Sequence, residues 1–372
     1  MNYLSHRKKI VLTFIFVLFS ITTLIIMAEG FLRLKRLITG KEPTVDDIIT
    51  LAPKTCIAVP IPNAVFRNVK INSLGFRGPE FANPKPASVI RLAFLGGSTT
   101  FCSEASNDDA TWPYLVWKKL QEENPNLKFD YVNAGVLGHT TKDSLVMLKH
   151  KVKQLNPDII IIYHSTNDLL SDLRELARKR GISDSQLSKK SILDYFLLWR
   201  NFKKTTKLFI NKRKSYELYR NKVEFGYDPE KLSVNFRNRL QTLIEESQKT
   251  ASIVVVITQS YKLRREQPDE EQFRNMLLMS YYLPFITHTE LLEGYEEYNK
   301  IIREMAQKTG VILVEKEFDI PGNDTYFADT IHFNDQGNIL MAKRVSDALA
   351  GSPVIGNYLK SRVMAPSTAL LH

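Results

Sequence analysis

Five short apolar runs, each separated from the next by a longer helically patterned stretch, constrain this chain more than any other feature. They read VIRLAFLG from Val89, FDYVNAG from Phe129, DIIIIYHS from Asp158, SIVVVITQ from Ser252 and VILVEKE from Val311. Each has a short centre bounded by polar residues or glycine, mostly rich in Val and Ile, the pattern of a strand buried on both faces. Between them, DATWPYLVWKKLQEEN sets Leu115, Val116 and Leu120 among charges, and KDSLVMLKHKVKQLN is patterned similarly. LLEGYEEYNKIIREMAQKTG runs to Gly310, a glycine of the kind that closes helices. Strands alternating with helices predict a parallel sheet covered on both faces, with functional groups beyond the carboxyl ends of its strands.

Two regions fall outside that rhythm. Near the start, 19 uncharged residues from Ile10 to Ala28 follow a basic HRKK. At 1.5 Å per residue that is about the length that crosses a hydrocarbon core. The exit, IIMAEG, lacks the small-x-small pattern of a cleaved leader, so an uncleaved single-pass anchor over residues 10–28 is expected. Basic residues flank both ends, Arg7, Lys8 and Lys9 before and Arg33, Lys35 and Arg36 after, so charge orients the span weakly. The favoured orientation puts the large domain on the periplasmic or extracellular side. Between the third and fourth runs lies the second irregularity, a long insertion at about 171–245. Tyr195, Phe196, Trp199, Phe202, Leu208 and Phe209 occur there among many lysines and arginines. The simpler reading is a helical cap with a solvated basic face; the sharper one is an amphipathic helix on an anionic lipid surface.

The expected organisation is a stub and anchor over 1–29 and a linker with a small irregular subdomain over 30–88. The α/β domain follows over 89–350, and a weakly patterned tail over 351–372. The excess of 51 Lys and Arg over 40 Asp and Glu, a formal +11, suits an anionic partner. No zinc-finger spacing, aromatic RNA-binding signature or clear helix-turn-helix accompanies it, so nucleic acid is not expected. Two cysteines, Cys56 and Cys102, define neither a disulfide framework nor a metal site.

AFLGGSTTF, from Ala93, places two glycines and Ser98 at the exit of the first run. It lacks the lysine of a phosphate loop and the spacing of a dinucleotide fingerprint. Two readings remain, a tight turn or a raised nucleophile. A nucleophilic serine needs a base, and the base needs an orienting group. Of seven histidines, His139, His150, His164 and His288 have no evident carboxylate in a loop after a strand. His332, in DTIHFNDQG, follows Asp329 by three residues, close enough to meet in a turn, although a surface Asp–His pair would read the same. Asn334 or Asp335 is placed to cap the next helix. The Ser98 N–H, Gly138 in NAGVLGHTT and Asn167 in HSTND are candidate oxyanion donors.

Taken together, LGGSTTF, NAGVLGHTT, HSTND and DTIHFNDQGN, in this order and spacing, resemble the SGNH (GDSL) hydrolase superfamily over roughly residues 89–350. The resemblance implies a three-layer, flavodoxin-like α/β fold with a five-stranded parallel sheet flanked by helices. It implies a catalytic triad of Ser98, Asp329 and His332, and an oxyanion hole of Ser98, Gly138 and Asn167. Trp112-Pro113 resembles the start of a family helix. The upstream NSLGFRG resembles a segment of membrane-anchored bacterial members with envelope functions. Two departures stand out: Gly97 replaces the family's Asp, and STND lacks a Gly that often precedes the Asn.

The implied activity is ester hydrolysis through an acyl-enzyme, with no metal or organic cofactor. The anchor, basic charge and envelope-type segment point to O-acetyl groups on an envelope or extracellular glycan. A lysophospholipid or other lipid ester, acyl transfer by the same triad, and an inactive glycan-binding scaffold are the alternatives.

Overall fold

The structure is a computed structural model that describes residues 6–38, 48–182, 197–221 and 223–364. Its first element is α1 (His6–Ile38), and two small antiparallel pairs follow: β1 (Ile49–Leu51) with β2 (Ala58–Pro60), and β3 (Val65–Phe66) with β4 (Val69–Lys70). The main sheet is then built from β5 (Val89–Gly96), β6 (Lys128–Gly135), β7 (Ile159–Tyr163), β8 (Ile253–Ile257) and β9 (Ile312–Val314). All five run parallel in the order β6-β5-β7-β8-β9. After β5 the chain steps to one side for β6 and then to the other for β7. Ligands of open α/β sheets bind at the carboxyl end of such a reversal.

Alternation along the strands builds two cores. Ala93, Leu95, Ile160, Ile162, Val254 and Val256 face a layer made by α4 (Thr141–Met147), α5 (Thr166–Lys179), α7 (Pro229–Gln248) and α10 (His288–Thr309). Leu92, Phe94, Ile159, Ile161 and Val255 face α3 (Trp112–Glu123), α11 (Asp335–Ala350) and α12 (Pro353–Met364). The three-layer α/β fold follows directly from strands that are apolar on both faces. As the sequence suggests, Gly310 closes α10 in the left-handed conformation, at φ +69°.

Several local expectations are corrected. The apolar helix does not end near residue 28 but continues to Ile38, and its membrane-compatible part spans Lys8–Lys35. The chain after Ala350 forms α12, whose Ile355 is buried in the second core, although its sequence period is weak. Residues between α1 and β5 pack closely on the main domain: Ile71 and Phe76 are buried, and Arg77 bridges to Asn133 of β6. Of the long insertion, Tyr195 and Phe196 lie outside the described residues. Its described part is α6 (Leu197–Asn221) together with the flanking crossover helices α5 and α7. Two short helices absent from the sequence reading, α8 (Asp269–Asn275) and α9 (Leu277–Tyr282), lie between β8 and α10, and α6 packs against α9.

Candidate active site

Gly96, Gly135 and Tyr163 stand level across the three central strands, so β5, β6 and β7 all end on one line. Immediately beyond Gly97 the chain turns into a single helical turn, α2 (Ser98–Phe101), with Ser98 as its first residue. Neither Gly96 nor Gly97 has a positive φ, so the freedom of glycine to turn left-handed is not the reason for the pair. Space is. A Cβ on Gly96 would lie 1.9 Å from Thr100 Oγ1 and 2.7 Å from the Tyr163 carbonyl. One on Gly97 would lie 2.5 Å from Asn167 Nδ2. An Asp at Gly97 would require the Asn167 amide to shift.

His332 reaches Ser98 from 234 residues away: its Nε2 is 2.7 Å from Ser98 Oγ. On the other side of the ring, Nδ1 is 2.7 Å from Asp329 Oδ2. The same carboxylate accepts the backbone N–H groups of Ile331 and His332 at 2.9 Å each, which makes the Asp-x-x-His segment a closed turn. Burial disfavours the charge on Asp329, but the His332 hydrogen bond and charge, with the two backbone donors, outweigh it and lower its pKa. Thr330 holds the turn from behind, its hydroxyl donating to the Asn275 carbonyl and its own carbonyl accepting the Lys262 N–H. Asn334, rather than Asp335, caps α11 through the Gly337 N–H.

The three oxyanion candidates lie on loops that leave the same edge of the sheet. Ser98 opens α2, so its N–H has no carbonyl one turn back to bond. Gly138 adopts φ +76° in open space, a conformation in which any side chain would be strained. Its loop is tied to the end of β5 by the Val136 N–H on the Gly96 carbonyl. Asn167 donates one amide hydrogen to the His139 carbonyl at 2.9 Å, and an amide nitrogen carries two. Next to it, buried Asp168 accepts both the N–H (3.0 Å) and the hydroxyl (2.7 Å) of Thr141, clamping α4 to α5. Burial pushes the Asp168 carboxyl up to about 6, against the pull of Thr141 and Arg239.

The sequence reading missed what holds α2 itself. Trp112 Nε1 donates to the Thr99 carbonyl (3.0 Å), and Asn133 Nδ2 to the Thr100 carbonyl (3.0 Å). Arg77 Nη1 donates to the Phe101 (2.7 Å) and Cys102 (2.6 Å) carbonyls, while Arg77 Nε pairs with Asp108 at 2.8 Å. The signal was present, since Arg77 lies in NSLGFRG and Asn133 opens NAGVLGHTT, but neither reads as a helix cap.

Three of the other histidines have partners of their own. His139 Nε2 meets the Ala58 carbonyl at 2.7 Å, which brings β2 to the site's edge. His164 meets Ser144 at 2.7 Å, and burial pushes its pKa down to about 3. His288 does have a carboxylate, contrary to the sequence expectation: its Nε2 is 2.7 Å from Asp269, and its ring faces Tyr219 rather than Ser98. Burial raises the Cys102 thiol to about 12, and both Cys102 and Cys56 are free. Among the described residues no group of three or more His, Cys, Asp or Glu side chains converges to hold a metal.

A model of the GDSL-like lipase/acylhydrolase family matches residues 94–339, about two thirds of the chain. The chain belongs to that family. It is a serine hydrolase of carboxylic esters of the GDSL type. Solved structures similar to it include Axe2, an acetylxylan esterase from Geobacillus stearothermophilus, at 15% identity. That match covers 72% of this chain and 96% of the other, with a TM-score of 0.42. Another is LAE5, an alpha/beta hydrolase enzyme from the metagenome of Lake Arreo, Spain, at 15% identity. It covers 70% of this chain and 94% of the other, also with a TM-score of 0.42. No curated protein matches the chain.

Two substitutions test this arrangement. Gly97→Ala displaces the Asn167 amide, and a displacement of about 1 Å should lower ester hydrolysis on the order of a hundredfold. Its melting temperature should move much less than its rate. Arg77→Met leaves Asp108 unpaired and the end of α2 uncapped, and should destabilise the protein by about 3 kcal/mol in urea denaturation.

Proposed function

We propose that Ser98, His332 and Asp329 hydrolyse O-acyl esters through an acyl-enzyme, with Ser98 N–H, Gly138 N–H and the Asn167 amide receiving the oxyanion. One observation carries this reading: His332 lies 2.7 Å from Ser98 Oγ on one side and 2.7 Å from Asp329 on the other. An alcohol is a weak nucleophile at neutral pH and needs a base at that distance. Ser98 attacks the ester carbonyl as His332 takes its proton. The tetrahedral oxyanion is stabilised by donors fixed beforehand, which require no reorganisation during the reaction. His332 then protonates the departing alcohol, activates water, and the acid leaves Ser98. Asp329 holds the imidazole and stays ionised, since its carboxyl titrates below its ordinary value.

The preferred substrate is an O-acetylated glycan of the envelope or extracellular space. The net +11 charge suits an acidic glycan, and α1, apolar over Lys8–Lys35, suits an enzyme tethered as a single-pass anchor with its catalytic domain outside. A lipid ester is the second reading, favoured by the exposed Phe202 and Phe209 on a helix that touches α1. Transfer of the acyl group to a sugar hydroxyl would use the same groups.

The test is a series of p-nitrophenyl esters from acetate to long acyl chains, with the full chain in detergent. Hydrolysis should favour acetate and fall by several orders of magnitude in Ser98→Ala or His332→Ala. Asn167→Ala should lose on the order of a hundredfold. Full activity in Ser98→Ala would reject the triad, and a preference for long chains would move the lipid reading ahead. Asp329 has a folded pKa below its unfolded one, so it stabilises the protein above about pH 4 and less as pH falls further. Asp329→Asn should therefore lose less stability on acidification than the parent.

A further inference from the structure

Helix α6 is anchored on one side and bare on the other. Asn211 and Ser215 are buried, and Asn211 Nδ2 donates to the Tyr281 carbonyl of α9 at 3.0 Å. Tyr219 stacks on Phe273 of α8 with ring centroids 4.7 Å apart. At 3.6 residues per turn, Trp199, Phe202 and Phe209 fall within about 80° of arc, roughly opposite that buried edge. Phe202 is 61% exposed and Phe209 66%, and Trp199 lies 5.9 Å from Phe202, ring to ring. An aromatic stripe on the outward face of a helix already packed on its inward face needs a second apolar environment.

Charge and position indicate which one. The α6 sequence carries eight lysines and arginines against one glutamate, Glu217, with Lys212, Arg213 and Lys214 exposed. A second copy of the chain would bring the same positive helix and be repelled. An anionic bilayer offers both the apolar layer and the opposite charge. Helix α6 also touches α1, the helix apolar enough to cross a membrane, and the residues of α1 that lose exposure are Ser20, Thr23, Glu29 and Leu32. These run from the middle of the helix to its end nearer the catalytic domain.

We propose that α6 is an interfacial helix lying in the headgroup layer of an anionic leaflet beside α1, with Phe202 and Phe209 in the upper acyl region. The helix is not remote from the chemistry. It packs on α8 and α9, and the Asn275 carbonyl at the end of α8 accepts the Thr330 hydroxyl within the Asp329–His332 turn. Docking of α6 therefore fixes the distance of that turn from the membrane surface, whatever ester the site takes.

Trp199 provides the readout, because the other tryptophans, Trp112 and Trp117, can be subtracted with Trp199→Phe. The full chain is reconstituted into phosphatidylcholine vesicles with or without phosphatidylglycerol, and brominated lipids quench from shallow or deep acyl positions. The expected result is shallow quenching of Trp199 that at least doubles with phosphatidylglycerol. It should fall at least twofold in Phe202→Ser/Phe209→Ser and in Lys212→Glu/Arg213→Glu. Unchanged circular dichroism melting in detergent shows that these surface variants fold. An unquenched Trp199, or quenching indifferent to phosphatidylglycerol and to charge reversal, overturns the proposal. So does lipid-independent crosslinking of two copies through Phe209→Cys. Quenching needs no turnover, so an inactive parent protein would count against the triad alone.

Discussion

A helix of one turn cannot hold itself, because fixing its dihedral angles costs more than its single turn of hydrogen bonds returns. Yet α2 carries Ser98, and everything around the site depends on where it stands. Three buried side chains from three separate elements supply what the turn lacks. Trp112 comes from the first helix on one face of the sheet, Asn133 from strand β6, and Arg77 from the segment between α1 and the sheet. Between them they occupy the carbonyls of Thr99, Thr100, Phe101 and Cys102. Arg77 is in turn held by Asp108, so the upstream segment is part of the framework that carries Ser98.

The sheet contributes a second constraint, its register. With Gly96, Gly135 and Tyr163 level, the loops after β5, β6 and β7, which carry Ser98, Gly138 and Asn167, leave from one line. Crowding follows, and glycine is how the chain tolerates it. Gly97 leaves room for the Asn167 amide, and Gly96 for Thr100 as α2 folds back over the strand end. At position 97, where the family has Asp, a Cβ would crowd the Asn167 amide. Clamps beyond the first contacts, Asp168 on Thr141 and Thr330 on Asn275, keep the loops from drifting apart.

The fold was largely legible in the chain because its signals are local. Strands buried on both faces show as short apolar runs, and Gly310 and Asn334 announce helix ends by their own chemistry. The proposed site was legible for a related reason: each of its groups follows a strand, and topology gathers strand ends at one edge. The supports were not legible. A buried arginine such as Arg77 looks in sequence like any surface arginine, and Asp269 gives no hint that it meets His288 nineteen residues on. α12 was missed because a helix at the edge of a domain buries a narrow strip, here centred on Ile355, which leaves little periodicity to read.

By itself, then, the sequence determined the five strands of the main sheet and the principal helices between them, their parallel arrangement, the apolar stretch near its start and the order in which reactive groups follow the strands. Those properties reside in hydrophobic period and in the chemistry of single residues. Tertiary structure decided which residues meet across long separations: His332 with Ser98, Arg77 with the end of α2, and α6 with α9 and α1. It also decided that Gly96 and Gly97 are needed for space rather than for left-handed geometry. Such facts depend on distances between segments remote in the chain, and no local pattern encodes a distance.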